Sequence, residues 1–364
     1  MGFRCGIVGL PNVGKSTIFN ALAKAKAPAS NYPFCTIDPN IGIVPVPDPR
    51  LVTLTNLYHP KKTTPTTVEF YDIAGLVKGA SIGEGLGNQF LGHIKEVDAI
   101  LHVVRCFEDP DIVHVSGTID PLRDIEIIET ELCLKDLDTM SKRYEKNQKL
   151  VQSGDKEARE LAPLYEKVKK SLEAGQSLRR LGLTEKEEKS IRDLAFLTLK
   201  PVLYSANVAE SDLPEGGPLV KEVRERAQKE GAEVVVISGK VESELVDLAE
   251  AEQMEFLKEL GLPEPGLYAL IRAGYRLLHL ITFFTAGEKE VRAWTVREGA
   301  KAPEAAGEIH TDFQQGFIRA EVMNYEDLIR LGSQAAVKEK GLLRIEGKDY
   351  VTQDGDVMLF RFSV

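Results

Sequence analysis

Cysteine is scarce in this chain. The four present, Cys5, Cys35, Cys106 and Cys133, are scattered and form no C-x-x-C pair. That pattern argues against a disulfide framework or a sulfur-ligated metal cluster, and suits small buried hydrophobes in a reducing cytoplasm. Long apolar runs are missing too, so no segment is expected to span a membrane as a helix. The first strand starts almost at the N-terminus, so no secretory signal peptide is expected. Met1-Gly2 invites myristoylation, but Gly6 stands where Ser or Thr is required. Positive charge is in deficit: 46 Lys and Arg face 56 Asp and Glu, a net charge of −10. Nucleic-acid binding by the whole surface is therefore not expected. What remains is the composition of an ordinary soluble protein, with length enough for two or three domains.

The charge is uneven. From Ser141 to Ser190 thirteen Lys and Arg outnumber nine Asp and Glu, whereas from His279 onward eleven face fourteen. A positive segment set in an acidic chain is a candidate contact surface.

The first twenty residues organise the rest. Gly9-Leu-Pro-Asn-Val-Gly14-Lys15-Ser16-Thr17 fits G-x-x-x-x-G-K-[ST], the phosphate-binding loop of nucleoside triphosphatases. Gly9 and Gly14 let the backbone curl so that successive N–H groups, those of Asn12, Val13, Gly14 and Lys15 through Thr17, point at phosphate oxygens. Lys15 would reach the β- and γ-phosphates, and the Ser16 hydroxyl would ligate Mg²⁺. The context agrees: Phe3 to Val8 reads as a buried strand and Ser16 to Ala27 as an amphipathic helix.

Two further elements belong to the same chemistry. A polar, Pro-broken stretch, Asn31 to Asp38, offers Thr36 as a second Mg²⁺ ligand in a mobile loop. The strands Ile41 to Pro45 and Thr67 to Asp72 follow, the second ending in Asp72-Ile-Ala-Gly75. Here Asp72 would hold the metal or its water, and the Gly75 N–H would meet the γ-phosphate. Paired switch elements of this kind argue against a small-molecule kinase. Leu76 occupies the place of the glutamine that often orients the attacking water, so intrinsic turnover should be slow.

GLPNVGKST, the Thr36 loop and DIAGLVKGASIGEGLGNQF together resemble the YchF or Obg-like ATPase family, a branch of the Obg-related switch proteins, over the whole chain. The resemblance implies a P-loop α/β domain with a mostly parallel sheet at 1–122 and 196–278. It also implies a helical coiled-coil arm at 123–195 and a β-rich, ubiquitin-like TGS domain at 279–364. The residues agree with that division. Ile125, Ile128, Leu132, Leu137 and Met140 recur at helical spacing, Gly154-Asp155 marks a turn, and Lys156 to Ala174 reads as a returning helix. The tail carries short β-rich runs at 280–285, 290–296, 317–322 and 357–362, with a helix at 325–331.

Further expectations come with the resemblance. A histidine in the FE…HV stretch, here His114, is implied to assist hydrolysis, and Asn12 to help bind K⁺ near the phosphates. Contact with RNA or the ribosome is implied for the tail. The arm's basic residues, including Lys142, Arg143, Lys146, Lys149, Lys169, Lys170, Arg179 and Arg180, suit a phosphate backbone. Base choice can be argued from the residues. Asn207-Val208-Ala209-Glu210 stands where guanine-specific proteins carry N-K-x-D, and Ser238-Gly239-Lys240 resembles the loop that closes such a site. Val208 has no long stem to lie along a base, and the extra methylene of Glu210 displaces its carboxylate from the guanine edge. Loss of guanine preference follows; preference for ATP is what the family adds. The alternatives are a GTPase or nonselective NTPase of the same fold, and a nucleotide-sensing adaptor that hardly hydrolyses.

Overall fold

The computed structural model describes residues 2–24, 40–73 and 96–363. Strand β1 (Arg4–Val8) buries all but its first residue and runs into the loop before helix α1 (Lys15–Lys24), which seats Ile18, Phe19, Ala21 and Leu22 in the core. β2 (Ile41–Pro45) alternates half-buried and buried residues. Helix α2 (Pro49–Tyr58) and the short β3 (Thr63–Thr64) precede β4 (Thr67–Asp72). β5 (Ala99–Arg105), β6 (Val202–Asn207) and β7 (Glu233–Ile237) complete a six-stranded sheet of order β2-β4-β1-β5-β6-β7. Every pairing is parallel except that of the edge strand β2. β5 and β6 are buried at every position because helices cover both faces, as parallel sheets require. Parallel strands end on the same side. The loops after β1, β5, β6 and β7 therefore share one rim, where open α/β sheets bind ligands.

Between β5 and β6 the chain leaves as a helical arm, α3 (Pro121–Gln152) and α4 (Lys156–Glu173). Asp120 and Asp155 cap their N-termini by accepting from the N–H groups of Arg123 (3.0 Å) and Ala158 (2.8 Å). The first turns of α3 belong to the nucleotide domain, since Ile125, Ile128 and Leu132 pack into its core. Cys133, Met140, Tyr165, Val168 and Leu172 form the arm's own seam. Asp136 fixes the arm's root by accepting from the N–H groups of Leu197 (2.9 Å) and Thr198 (2.7 Å).

One residue of the expected phosphate-contacting face, Arg179, serves the fold instead. Arg179 is largely buried, pairs with Glu129 and donates to the Lys200 carbonyl at 3.0 Å. Arg180 faces Glu230 at 3.9 Å, within a polar cluster where Glu230 also takes Arg226 and the Tyr204 hydroxyl. The sequence shows their charge but not the carboxylates they face.

The C-terminal body is a second six-stranded sheet of order β11-β10-β12-β8-β9-β3. Its strands are β8 (Leu280–Ala286), β9 (Val291–Arg297), β10 (Phe317–Asn324), β11 (Arg344–Glu346) and β12 (Asp356–Phe362). The last strand lies parallel to β8 in the middle of the sheet. A helix over Ala302–Ile309, not expected from the sequence, covers one face through Ala302, Ala305 and Ala306. The other face takes Leu51 and Leu54 of α2, and β3 extends the sheet by pairing with β9. Residues 49–64 are thus an N-terminal segment built into the C-terminal body. Among the described residues, no helix is long and apolar enough to cross a membrane.

Two helices follow β7, Gly239–Leu245 and Glu250–Glu259. The bend brings Leu245 and Leu257 together with Val241 in one apolar cluster, and Gln253 caps the break by donating to the carbonyls of Leu245 and Leu248. Glu242 is 2% exposed and accepts from the N–H groups of Gly266 (2.8 Å) and Leu267 (3.3 Å), capping the last helix of this domain. Burial pushes its carboxyl up from the usual 4.5 to about 7, against the pull of those two N–H groups. The unfolded chain loses this proton near 4.5 and the folded one near 7. Its contribution is therefore fully present below about pH 4.5 and is lost as pH rises through 7, by up to roughly 3 kcal/mol. Glu242→Gln should remove that slope. Denaturant titrations of both proteins at pH 5 and pH 8 measure it, and an unchanged difference between the two pH values would refute it.

Candidate functional site

The shared rim holds a cavity of about 1330 Å³ lined by the phosphate loop, Asp72, the loop after β5, Asn207 to Ser211, and Ser238 to Lys240. The loop's shape is forced by its glycines. Gly14 has φ +91°, and a Cβ there would lie 2.1 Å from Asn207 Nδ2. A Cβ on Gly9 would meet the Val103 carbonyl oxygen at 2.7 Å. Asn12 takes φ +63°, a conformation asparagine tolerates better than most side chains. Val13 is buried, so its contribution is main-chain. Its carbonyl accepts from Asn207 Nδ2 at 2.9 Å, while Asn207 Oδ1 accepts from the Gly239 N–H at 2.8 Å. One side chain at the end of β6 thus ties the phosphate loop to the Ser238-Gly239-Lys240 loop.

Lys15 and Asp72 meet inside the cavity. Lys15 Nζ donates to Asp72 Oδ1 at 2.6 Å and to the Ile73 carbonyl at 3.0 Å, and both side chains are mostly buried. Ser16 and Thr17 line the same wall. A hydroxyl and a carboxylate are hard oxygen donors of the kind Mg²⁺ takes in small number, leaving positions for water and phosphate oxygens. Among the described residues no cluster of His, Cys, Asp and Glu could form an all-protein metal cage. The donor set therefore fits a divalent ion shared with a nucleotide. Thr36, Gly75 and Leu76 lie outside the described residues.

At the base end, Val208, 2% exposed, lines the cavity together with Ala209 and Glu210. The Glu210 carboxylate lies 3.6 Å from Lys240 Nζ. Leu260, which caps the C-terminus of the second of the two helices after β7, closes this end. The loop after β5 forms the opposite wall through Phe107, Asp109 and Ile112. Asn12 reaches this loop, donating from Nδ2 to the Val113 carbonyl at 3.0 Å.

His114 does not line the cavity. It is buried, its Nε2 lies 2.8 Å from Asp124 Oδ2 on the first turn of α3, and its Nδ1 accepts from the Ser116 N–H. Both ring nitrogens are therefore engaged away from the nucleotide wall. His102, on β5, is no proton carrier. Burial, helped by Arg179 and Arg226, lowers it to about 3 and keeps it neutral. Sequence reasoning missed Asp124, Lys240 as the partner of Glu210, and Arg105. The only local hint for the last is a cation ending the otherwise apolar run Ala99-Ile-Leu-His-Val-Val.

Comparison with known proteins agrees with this geometry. Residues 4–150 match the family MMR_HSR1, described as "50S ribosome-binding GTPase". Residues 280–363 match YchF-GTPase_C, described as "Protein of unknown function (DUF933)". The chain is 58% identical to the ribosome-binding ATPase YchF of Haemophilus influenzae and 55% identical to that of Bacillus subtilis, covering all of both partners in each case. The solved structure of the Schizosaccharomyces pombe YchF GTPase superposes with a TM-score of 0.88 at 40% identity, over 99% of this chain and 98% of that one. The P-loop α/β domain, the arm and the C-terminal sheet are thus those of a known lineage, and the chain belongs to the YchF family.

Proposed function

We propose that this chain is an ATP-binding and ATP-hydrolysing switch that associates with ribosomes in the cytoplasm. The observation that carries the reading is the Lys15–Asp72 pair at the floor of a cavity walled by the phosphate loop and the Asn207–Glu210 loop. Lys15 and the loop N–H groups hold the phosphates, Ser16 and Asp72 hold Mg²⁺, and Thr36 and Gly75 complete the γ-phosphate end. Bound Mg²⁺ supplies neutralisation of charge on the phosphates.

ATP over GTP is supported by Val208, which is buried and lays no stem along a base, and by Glu210, whose carboxylate already faces Lys240. The related proteins carry both descriptions, ATPase and GTPase, so the base is decided by competition at equilibrium with Mg²⁺ present. ATP should win by about tenfold, or about 1.4 kcal/mol. If GTP wins, Glu210 reaches the guanine edge and the protein is a GTPase of the same fold. His114 takes part in hydrolysis only once its ring leaves Asp124, and Leu76 offers no group to orient water. Both favour slow basal turnover. Turnover that stays negligible with ribosomes present would favour a nucleotide-sensing adaptor. Asn12 as a K⁺ ligand rests on Oδ1, the amide's only acceptor, while Nδ2 donates to the Val113 carbonyl. Equal rates in K⁺ and Na⁺ would remove that role.

For ribosome contact the arm offers a basic face on α3, where Lys142, Arg143 and Lys146 flank a groove of about 470 Å³. The TGS-like C-terminal domain is the second contact. Lys142, Lys146, Lys149 and Lys170 are exposed, so reversing them to Glu tests the arm without touching Arg179 or Arg180. The variant should release ribosomes at lower salt, since each lost phosphate contact lowers the slope of log K against log salt by about 0.7–0.9. Unchanged co-sedimentation across a salt series would move the contact to the C-terminal domain.

A further inference from the structure

Arg105 ends β5 with 1% of its surface exposed. A buried guanidinium is expensive to desolvate, and such groups are usually met by a carboxylate. Among the described residues its partners are carbonyls of a single loop. Nε donates to Phe107 (3.1 Å), Nη1 to Ile112 (3.0 Å) and Nη2 to Asp109 (3.4 Å), while the guanidinium carbon sits 4.6 Å from the centre of the Phe107 ring. Phe107, Asp109 and Ile112 are also residues through which this loop lines the nucleotide cavity. The next carbonyl along, that of Val113, is the one that receives Asn12 of the phosphate loop.

We propose that Arg105 is a positioning residue of the nucleotide site: it gathers the carbonyls of Phe107, Asp109 and Ile112 into one rigid wall and presents the Val113 carbonyl to Asn12. A loop without regular secondary structure must find partners for its own carbonyls, and water would otherwise supply them. A planar fork with five donors can satisfy several at fixed mutual angles, which an ammonium cannot. The strand supplies the fixed end. Arg105 lies opposite Asn207 in the β5–β6 register, and the Cys106 N–H donates to the Asn207 carbonyl at 2.8 Å. The residue that shapes one wall of the cavity is therefore paired in register with the residue that joins the other two loops, and its chain neighbour Cys106 bonds that residue's carbonyl. The guanidinium acts through the loop and touches no reacting atom.

This rests on the reading of the cavity as an ATP site, and the test separates the two. Arg105→Lys, Arg105→Met, Asn12→Ala and the Arg105→Lys/Asn12→Ala double variant are prepared in the full chain. For each, thermal melting, affinity for a fluorescent ATP analogue with Mg²⁺, kcat and KM are measured. Arg105→Lys should weaken nucleotide binding and raise KM by about tenfold, Arg105→Met by more, with kcat falling less than KM rises. Because Asn12 acts through the wall that Arg105 holds, the double variant should bind little worse than the weaker of the two singles, a departure from additivity expected of coupled sites. Arg105→Lys carries the test should Arg105→Met fail to fold. A lowered melting point with nucleotide affinity unchanged, or losses that simply multiply in the double variant, would overturn the proposal. If the parent protein binds GTP instead, the same cycle run with a GTP analogue still tests Arg105. If the parent binds neither, it is the reading of the site that fails.

Discussion

Lys15→Ala should lower turnover by roughly 10²–10³-fold, the usual loss when one preorganised donor to developing charge is removed. It should also alter the nucleotide-free protein, because Lys15 is the partner that neutralises Asp72 in a mostly buried pair. Removing one member of such a pair leaves a charge with little solvent and destabilises by about 1–3 kcal/mol. The double variant Lys15→Met/Asp72→Asn separates the two effects. It should recover most of the stability of the parent and none of its activity. Asp72→Asn alone tests the competition between carboxylate and phosphate for the Lys15 ammonium. Nucleotide affinity measured in a metal chelator should rise, because the amine is released from its partner, while affinity measured with Mg²⁺ should fall, because a metal ligand is lost. Calorimetric titration under both conditions provides the check. A fall in both would mean that the Lys15–Asp72 contact does not compete with the nucleotide.

Much of this was legible in the sequence, and what was not has a physical cause. β2 and β4 are predicted at the same residues at which they occur, because strand period and turn chemistry are local. The phosphate loop, the Asn207 loop and the Ser238 loop are short motifs whose geometry is fixed by their own residues, and all line the expected cavity. Partners distant in sequence were not legible. Arg179 carries its charge openly in the sequence, but only the fold sets it against Glu129, fifty residues earlier. His114 is beside Asp124 because the first turn of α3 folds back over the loop after β5. The joining of β3 to β9 spans the whole nucleotide domain and has no local signature. Arg105 was hidden for a different reason. An arginine at a strand end is most often a solvated side chain, and its burial depends on the path of the loop that follows.

Asn207→Ala should be the most damaging single change at the base end of the site. The side chain serves two buried main-chain groups at once, the Val13 carbonyl and the Gly239 N–H. Alanine leaves both without their partner, and each such group costs about 1–3 kcal/mol. A loss of about 2–4 kcal/mol is expected, read as a lower denaturant midpoint with an unchanged slope. Nucleotide binding should fall further than stability alone accounts for, because the phosphate loop and the Ser238 loop lose their common tie. Asn207→Asp distinguishes shape from chemistry. A carboxylate still accepts from Gly239, but it has no donor for the Val13 carbonyl and sets two acceptors against each other. Asn207→Asp should therefore keep the Ser238 loop in place and lose the phosphate loop, so that ATP and GTP weaken together and the ratio between them stays the same. Asn207→Ala frees both loops, and the ratio itself should move toward one. If Asn207→Asp changed the ratio as strongly as Asn207→Ala, the side chain would be reading the base directly rather than holding the two loops that enclose it.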